Sequence, residues 1–292
     1  MPDRALKTGI EPEEDFTSLT PEESLPAWEG VDFCLPVGME VCTVSAETRA
    51  VVYDDPTSAG ADKFRLAQLR LKSLQAARRL KSVLITSPLP GDGKSTIALN
   101  LATVLSENGT VPVLLLEADV YRPTQVKRLG LKPWAGLTEC YRRGEDPMLA
   151  MRRINPLGFY LLPAGQPVED GTSLLQSNFT SQLLSSLSSS AFKWILIDST
   201  PTTPAAEVLA LKERTDATLL VVRAGKTPQE AIEESVLSLG RDHIVGIILN
   251  GIEGLNRAYS KYYGYGYRKS DARTKPTKAQ KLEGLRLNEH SK

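Results

Sequence analysis

Residues Ser87 to Thr96 read SPLPGDGKST, with an apolar run, Val83 to Ile85, before them and a helical pattern, Ile97 to Leu105, after them. Glycine enters left-handed backbone without steric cost, so Gly91 and Gly93 let successive amide N–H groups turn inward on an anion. The helix that follows aims its positive end at the same point. Lys94 adds a charge for β- and γ-phosphates, and Ser95 a hydroxyl for Mg²⁺. The stretch reads as a phosphate-binding loop, with Pro90, Gly91, Asp92, Gly93, Lys94, Ser95 and Thr96 as the expected nucleotide contacts. Pro88 stands where the strict GxxxxGK[ST] pattern has its first glycine. The reading rests instead on strand, Gly-x-Gly-Lys-Ser and helix occurring together.

Outward from the loop, short apolar runs alternate with helical stretches. Strands are expected at Val83 to Thr86, Val113 to Leu116, Phe159 to Pro163, Trp194 to Asp198, Ala217 to Val222 and Ile244 to Asn250. Helices are expected at 95–107, 173–187, 205–213 and 228–239, with further helical turns to about Met151. This alternation predicts an α/β fold of the P-loop NTPase kind, a mostly parallel sheet with helices on both faces. Ligands of such sheets sit at the carboxyl ends of the strands. Two of those ends carry carboxylates. Asp198 closes one strand and suits a Mg²⁺ ligand, and Glu117-Ala118-Asp119 closes another. Alternate residues at a strand end share a face, so Glu117 and Asp119 are expected to look into one site, one for metal and one free to act as a base.

The formal charge of the 292 residues is zero, but it is unevenly spread. Residues 1–61 hold thirteen acidic and three basic side chains, whereas 257–292 hold ten basic and three acidic. The expected organisation is an acidic, mostly disordered extension (1–55), a nucleotide-binding domain (56–255) and a basic, Tyr-rich tail (256–292). In that tail Tyr259, Tyr262, Tyr263, Tyr265 and Tyr267 are interleaved with Gly264 and Gly266 and followed by Arg268 and Lys269. Three readings stand side by side: a platform for single-stranded nucleic acid, a plain surface tail, or a set of phosphorylation sites.

Asp62 to Lys81 spaces Phe64, Ala67, Leu71, Leu74 and Leu80 as an amphipathic helix, with Arg65 and Arg70 on other faces, either solvated or at a subunit interface. Cys34, Cys42 and Cys140 lie too far apart for a CxxC site, which fits a reducing cytosol. His243 reads as structural and His290 as tail, leaving no residue for a Ser-His-Asp mechanism. No apolar run approaches the ~18–20 residues of a membrane span.

Over roughly 50–268 the chain resembles the bacterial tyrosine kinases of capsule and exopolysaccharide systems. The resemblance is carried, in order, by the loop, EADVYRP (117–123), LPAG (162–165), LIDSTP (196–201), VVRAGKT (221–227), ILNG (248–251) and the tyrosine cluster. It implies an ATP- and Mg²⁺-dependent autokinase, cytoplasmic, that phosphorylates the tyrosines of neighbouring copies in a ring. A membrane-spanning polysaccharide co-polymerase would recruit it to the inner face of the membrane and activate it, a cognate tyrosine phosphatase would reverse it, and no nucleic acid is expected.

By the same resemblance Lys94, Glu117, Asp119 and Asp198 are catalytic; Ser95, Asp119 and Asp198 hold metal; Asn250 contacts the base; and Asp62, Arg65 and Arg70 form the oligomer interface. Glu117 replaces the family's first aspartate, and Asp62 and Gln68 stand where it prefers Glu and a second Arg. Leu89 occupies the position of a lysine found in related partition and septum-site ATPases, which favours the kinase branch. The alternatives are a catalytically weak regulatory scaffold or a partition-type ATPase.

Overall fold

Runs of Val, Ile and Leu bounded by glycine, proline and polar turns form the strands, and their order in space decides where the site falls. The computed structural model describes residues 38–203 and 206–252. The separate unit Glu253–Lys292 lies outside the described residues, and with it all five tail tyrosines. The strands are β1 (Met39–Val41), β2 (Ser82–Thr86), β3 (Val113–Glu117), β4 (Arg152–Asn155), β5 (Tyr160–Leu162), β6 (Trp194–Asp198), β7 (Ala217–Arg223) and β8 (Ile244–Asn250). The helices are α1 (Val51–Asp54), α2 (Ala59–Arg78), α3 (Lys94–Leu105), α4 (Gln125–Arg128), α5 (Leu137–Arg143), α6 (Thr172–Gln176), α7 (Asn178–Ser189), α8 (Ala206–Lys212) and α9 (Gln229–Leu239).

One sheet holds all eight strands in the order β1-β4-β5-β3-β6-β2-β7-β8. Its pairs are parallel except β4 with β5. Every residue of β2, β3 and β6 is buried, as a sheet covered on both faces requires. The period of two sorts them. Val83, Ile85, Val113, Leu115 and Leu196 pack with α2 and α3, whereas Leu84, Leu114, Leu116, Ile195 and Ile197 pack with α5 to α9. Each such buried side chain contributes about 1.5–3 kcal/mol. The register sets Glu117 opposite Asp198, and Ile85 opposite Asp198 on the other side, so the carboxyl ends of β3, β6 and β2 lie side by side.

Three expectations are corrected. The extension expected over 1–55 does not end at 55, because β1 pairs with Arg153, Ile154 and Asn155, and Cys42, Thr48 and Ala50 are buried. A three-residue strand whose partner lies over a hundred positions away leaves no periodic signal. The helix expected over 173–187 is two: Ser177 ends α6, and its Oγ accepts from Thr180 N (3.3 Å) as the N-cap of α7. The helix expected over 62–81 starts earlier, capped by Ser58, and stops where Arg79 turns left-handed. His243 is structural as expected: its ring contacts Thr218 Oγ1 and the Thr215 carbonyl, both at 2.9 Å. Cys42 and Cys140 are buried and free. No helix among the described residues is long and apolar enough to cross a membrane.

Candidate functional site

The loop between β2 and α3 is built by backbone conformation and then braced from behind. Gly91 (φ +87°) and Gly93 (φ +100°) take the left-handed region that side-chain-bearing residues avoid. A Cβ on Gly93 would lie 2.1 Å from Asn250 Nδ2, so an alanine would displace the Asn250 amide from the loop in addition to bearing the strained angle. Asn250 Nδ2 donates to the Asp92 carbonyl (2.8 Å), and Arg223 Nη1 to the Gly91 carbonyl (2.9 Å). Asp92 itself is buried, accepting from Leu89 N (3.0 Å) and Thr227 Oγ1 (2.8 Å). Asp92 and Asn250, expected as nucleotide contacts, therefore hold the loop's shape through side chains that turn into the protein. Bracing fixes the loop amides before any ligand arrives.

Lys94 Nζ donates to Asp119 Oδ2 (2.7 Å) and stands 3.9 Å from Asp198 Oδ1. Burial alone would lower its pKa, but the Asp198 and Asp119 carboxylates outweigh burial and raise it, so it stays charged. Ser95 Oγ donates to Asp198 Oδ1 (3.1 Å), and Gln125 Nε2 to Asp198 Oδ2 (2.9 Å) and to the Ser95 carbonyl (3.0 Å). Asp198 is wholly buried; desolvation pushes its pKa up against the pull of Lys94, Gln125 and Ser95.

Glu117 departs from expectation. It is 1% exposed and does not line the cavity: Oε1 accepts from Thr124 N (2.5 Å) and Gln125 N (2.7 Å), and Oε2 from Ala164 N (3.3 Å). Its carboxylate ties down the start of α4 below the cavity floor, while Asp119 alone of the pair lines the cavity. Desolvation, reinforced by Asp198 and opposed by those N–H groups, carries the Glu117 pKa up to about 7.

Lys94, Ser95 and Asp119 meet at a cavity of about 560 Å³ whose wall also includes Pro90, Gly91, Gly93 and Thr96. Six further lining residues were not foreseen as site residues from sequence: Tyr121, Arg122, Thr124, Arg128, Thr200 and Glu207. Tyr121 Oη donates to Glu207 Oε1 (2.5 Å), which also accepts from Thr172 Oγ1. Only tertiary structure brings α8 and α6 to the end of β3. The expected interface residues lie on the surface of α2, where Arg65 Nη1 pairs with Asp62 Oδ1 at 2.9 Å and Arg70 is exposed. Gln68 points the other way, donating to the Val104 carbonyl (2.9 Å) and Glu107 (3.2 Å).

The residues fit a magnesium nucleotide. An anion-shaped loop, a buried lysine held charged, and a serine hydroxyl beside a buried carboxylate form the donor set that group needs. Among the described residues no three His, Cys, Asp or Glu side chains gather to chelate a metal.

A parallel sheet, a glycine-built loop leading into a helix, and carboxylates on the neighbouring strand ends define a P-loop nucleotide-binding domain. No protein-family model matches the chain. It is 29% identical over 223 residues to the tyrosine-protein kinase YwqD of Bacillus subtilis (strain 168), a match covering 76% of this chain and 91% of that protein. It is also 29% identical over 233 residues to the succinoglycan biosynthesis transport protein ExoP of Rhizobium meliloti (strain 1021), of which it spans only 29%. In three dimensions it matches the BceF tyrosine kinase domain with a TM-score of 0.62 and 26% identity, covering 69% of this chain and 81% of that one. In sequence and fold the chain is similar to the kinase domains of bacterial tyrosine kinases.

Proposed function

We propose that the protein is an ATP- and Mg²⁺-dependent protein-tyrosine autokinase that phosphorylates its own cluster Tyr259, Tyr262, Tyr263, Tyr265 and Tyr267. The convergence of Lys94, Ser95, Asp119 and Asp198 at neighbouring strand ends, with Lys94 and Asp119 facing one cavity, carries the reading. Bound Mg²⁺ would neutralise phosphate charge and fix the phosphate geometry. Ser95 and Asp198 would hold it, Asp198 aimed by Gln125. Lys94 turns from Asp119 to the phosphates, which frees an Asp119 oxygen to accept the phenol proton of an incoming tyrosine. The tyrosine oxygen bonds to the γ-phosphorus, the bond from that phosphorus to the β–γ bridging oxygen breaks, and ADP leaves. With Glu117 occupied by three backbone N–H groups, Asp119 is the base.

The likeness to a succinoglycan biosynthesis transport protein supports a role in exopolysaccharide or capsule production; a membrane-spanning co-polymerase as recruiter and activator, a cognate phosphatase as the reverse arm, and a cytoplasmic location at the membrane complete the proposal. Assembly of copies would use the exposed Asp62, Arg65 and Arg70 surface, where Leu66 and Leu69 are also exposed. Incubation of the full chain with Mg-ATP followed by phosphotyrosine mapping tests the assignment. Label within 259–267 is expected; its absence even with the activator's cytosolic segment present would sink it. The withdrawal of Glu117 from the cavity is the observation that favours the second reading, a regulatory scaffold with weak transfer. Label far below one phosphate per chain under activation would select that reading.

A further inference from the structure

The charged groups around the cavity do not cancel evenly. Lys94 and Asp119 pair with each other at 2.7 Å, and Glu207 already accepts from Tyr121 (2.5 Å) and Thr172. Arg122 and Arg128 also line the cavity, and among the described residues neither has a carboxylate within 4.0 Å. Arg122 is exposed. Arg128 is half-buried, and its Nε is buried with no hydrogen-bond partner. Two hydroxyls of the same wall share that condition, Thr124 Oγ1 and Thr200 Oγ1. An unpaired buried polar atom is costly, so three of them on residues lining one ligand cavity call for a partner, and a phosphate-like anion can accept from all three. Burial lowers the Arg128 pKa; Arg49 pushes the same way, and Asp198 and Glu117 oppose it.

We propose that Arg128, Thr124 and Thr200 form a second anion subsite, made of side chains outside the P-loop, that takes the tetrahedral phosphoryl group of a phosphate ester. The guanidinium fork matches two phosphate oxygens, and the hydroxyls supply further donors. Arg128 and Thr124 come from α4 and its N-terminal flank, and Thr200 from the segment after β6, so the subsite is built from segments that flank the loop after β2 and line the same cavity. The tail is strongly basic, so its own acidic residues are a poor match for such a site. The inference rests on the kinase reading, in which the same phosphoryl group is first the γ-phosphate of ATP and then the phosphate of phosphotyrosine.

The test uses the full chain after phosphatase treatment. Fluorescence anisotropy measures a labelled peptide of residues 257–269, with and without phosphate on Tyr263, in the presence of Mg-ADP. Calorimetry compares ADP with a non-hydrolysable ATP analogue. For R128Q, the phosphopeptide or the ATP analogue is expected to bind about 10–100-fold more weakly, with ADP and the unphosphorylated peptide unchanged. T200V, nearly isosteric, is expected to lose about fivefold in the same arm, and R128K to fall between R128Q and the parent. Loss in the phosphopeptide arm identifies phosphotyrosine as the ligand, and loss in the analogue arm identifies the γ-phosphate. If R128Q and T200V bind both phosphate probes as the parent does, the subsite is overturned while the kinase reading stands on ADP binding. If the parent fails to bind ADP, the kinase reading falls, and the subsite is judged on the phosphopeptide ratio alone.

Discussion

Glu117→Gln separates a structural bracket from a working base without any activity measurement. The carboxyl is 1% exposed, and burial raises its pKa from 4.5 to about 7 despite three backbone donors. A group that holds its proton more tightly when folded contributes stability that is complete below about pH 4.5 and is lost as pH rises through about 7. At about 1.4 kcal/mol per tenfold change in proton affinity, the full loss is about 3 kcal/mol. Between pH 5 and 8 about 2–3 kcal/mol of it remains to be lost. Glutamine keeps an oxygen for Thr124 N and Gln125 N but sets an amide donor against Ala164 N, where the native contact is 3.3 Å. That mismatch costs about 1 kcal/mol at any pH. E117Q is therefore expected to be slightly less stable than the parent at pH 5 and more stable at pH 8. Urea unfolding followed by fluorescence of the buried Trp194 reads both. A stability difference between the two proteins that stays constant from pH 5 to pH 8 would refute the reasoning, because it would mean that Glu117 does not change its protonation on folding.

Gln125→Leu leaves Asp198 Oδ2 and the Ser95 carbonyl without their donors at 2.9 and 3.0 Å, and should cost about 2–3 kcal/mol of stability. The same variant should weaken Mg-dependent nucleotide binding more than Mg-free binding, and equal losses by calorimetry in the two conditions would count against the positioning role. Gly93→Ala meets both the +100° φ and the 2.1 Å approach of Asn250, so ADP affinity should fall tenfold or more; an unchanged affinity contradicts the bracing of the loop. Chelating Mg²⁺ with EDTA and replacing Lys94 with methionine should each reduce autophosphorylation at least ~10²-fold. Residual transfer near the parent level in either case would remove that group from the mechanism.

The local chemistry of the loop was legible because it depends on neighbours in sequence: two glycines, a lysine and a serine between a strand and a helix. Strand ends were legible for the same reason, and Asp119 and Asp198 stand where that pattern placed them. Glu117 was misjudged because side-chain alternation says which face a residue takes, while the fold of 120–125 back over β3 supplies the N–H groups that capture it. Asp92 and Asn250 carry the same lesson, since Thr227, beyond β7, and Asn250, at the end of β8, lie over 130 positions from the Asp92 they bond. By itself the sequence determined the sheet class, the phosphate loop and the carboxylates at the strand ends, all consequences of short-range pattern. Tertiary structure alone decided which carboxylate reaches the cavity, which side chains brace the loop, and that Arg128, Thr124 and Thr200 line one cavity. Those outcomes depend on burial and pairing across long sequence separations, where no periodicity records them.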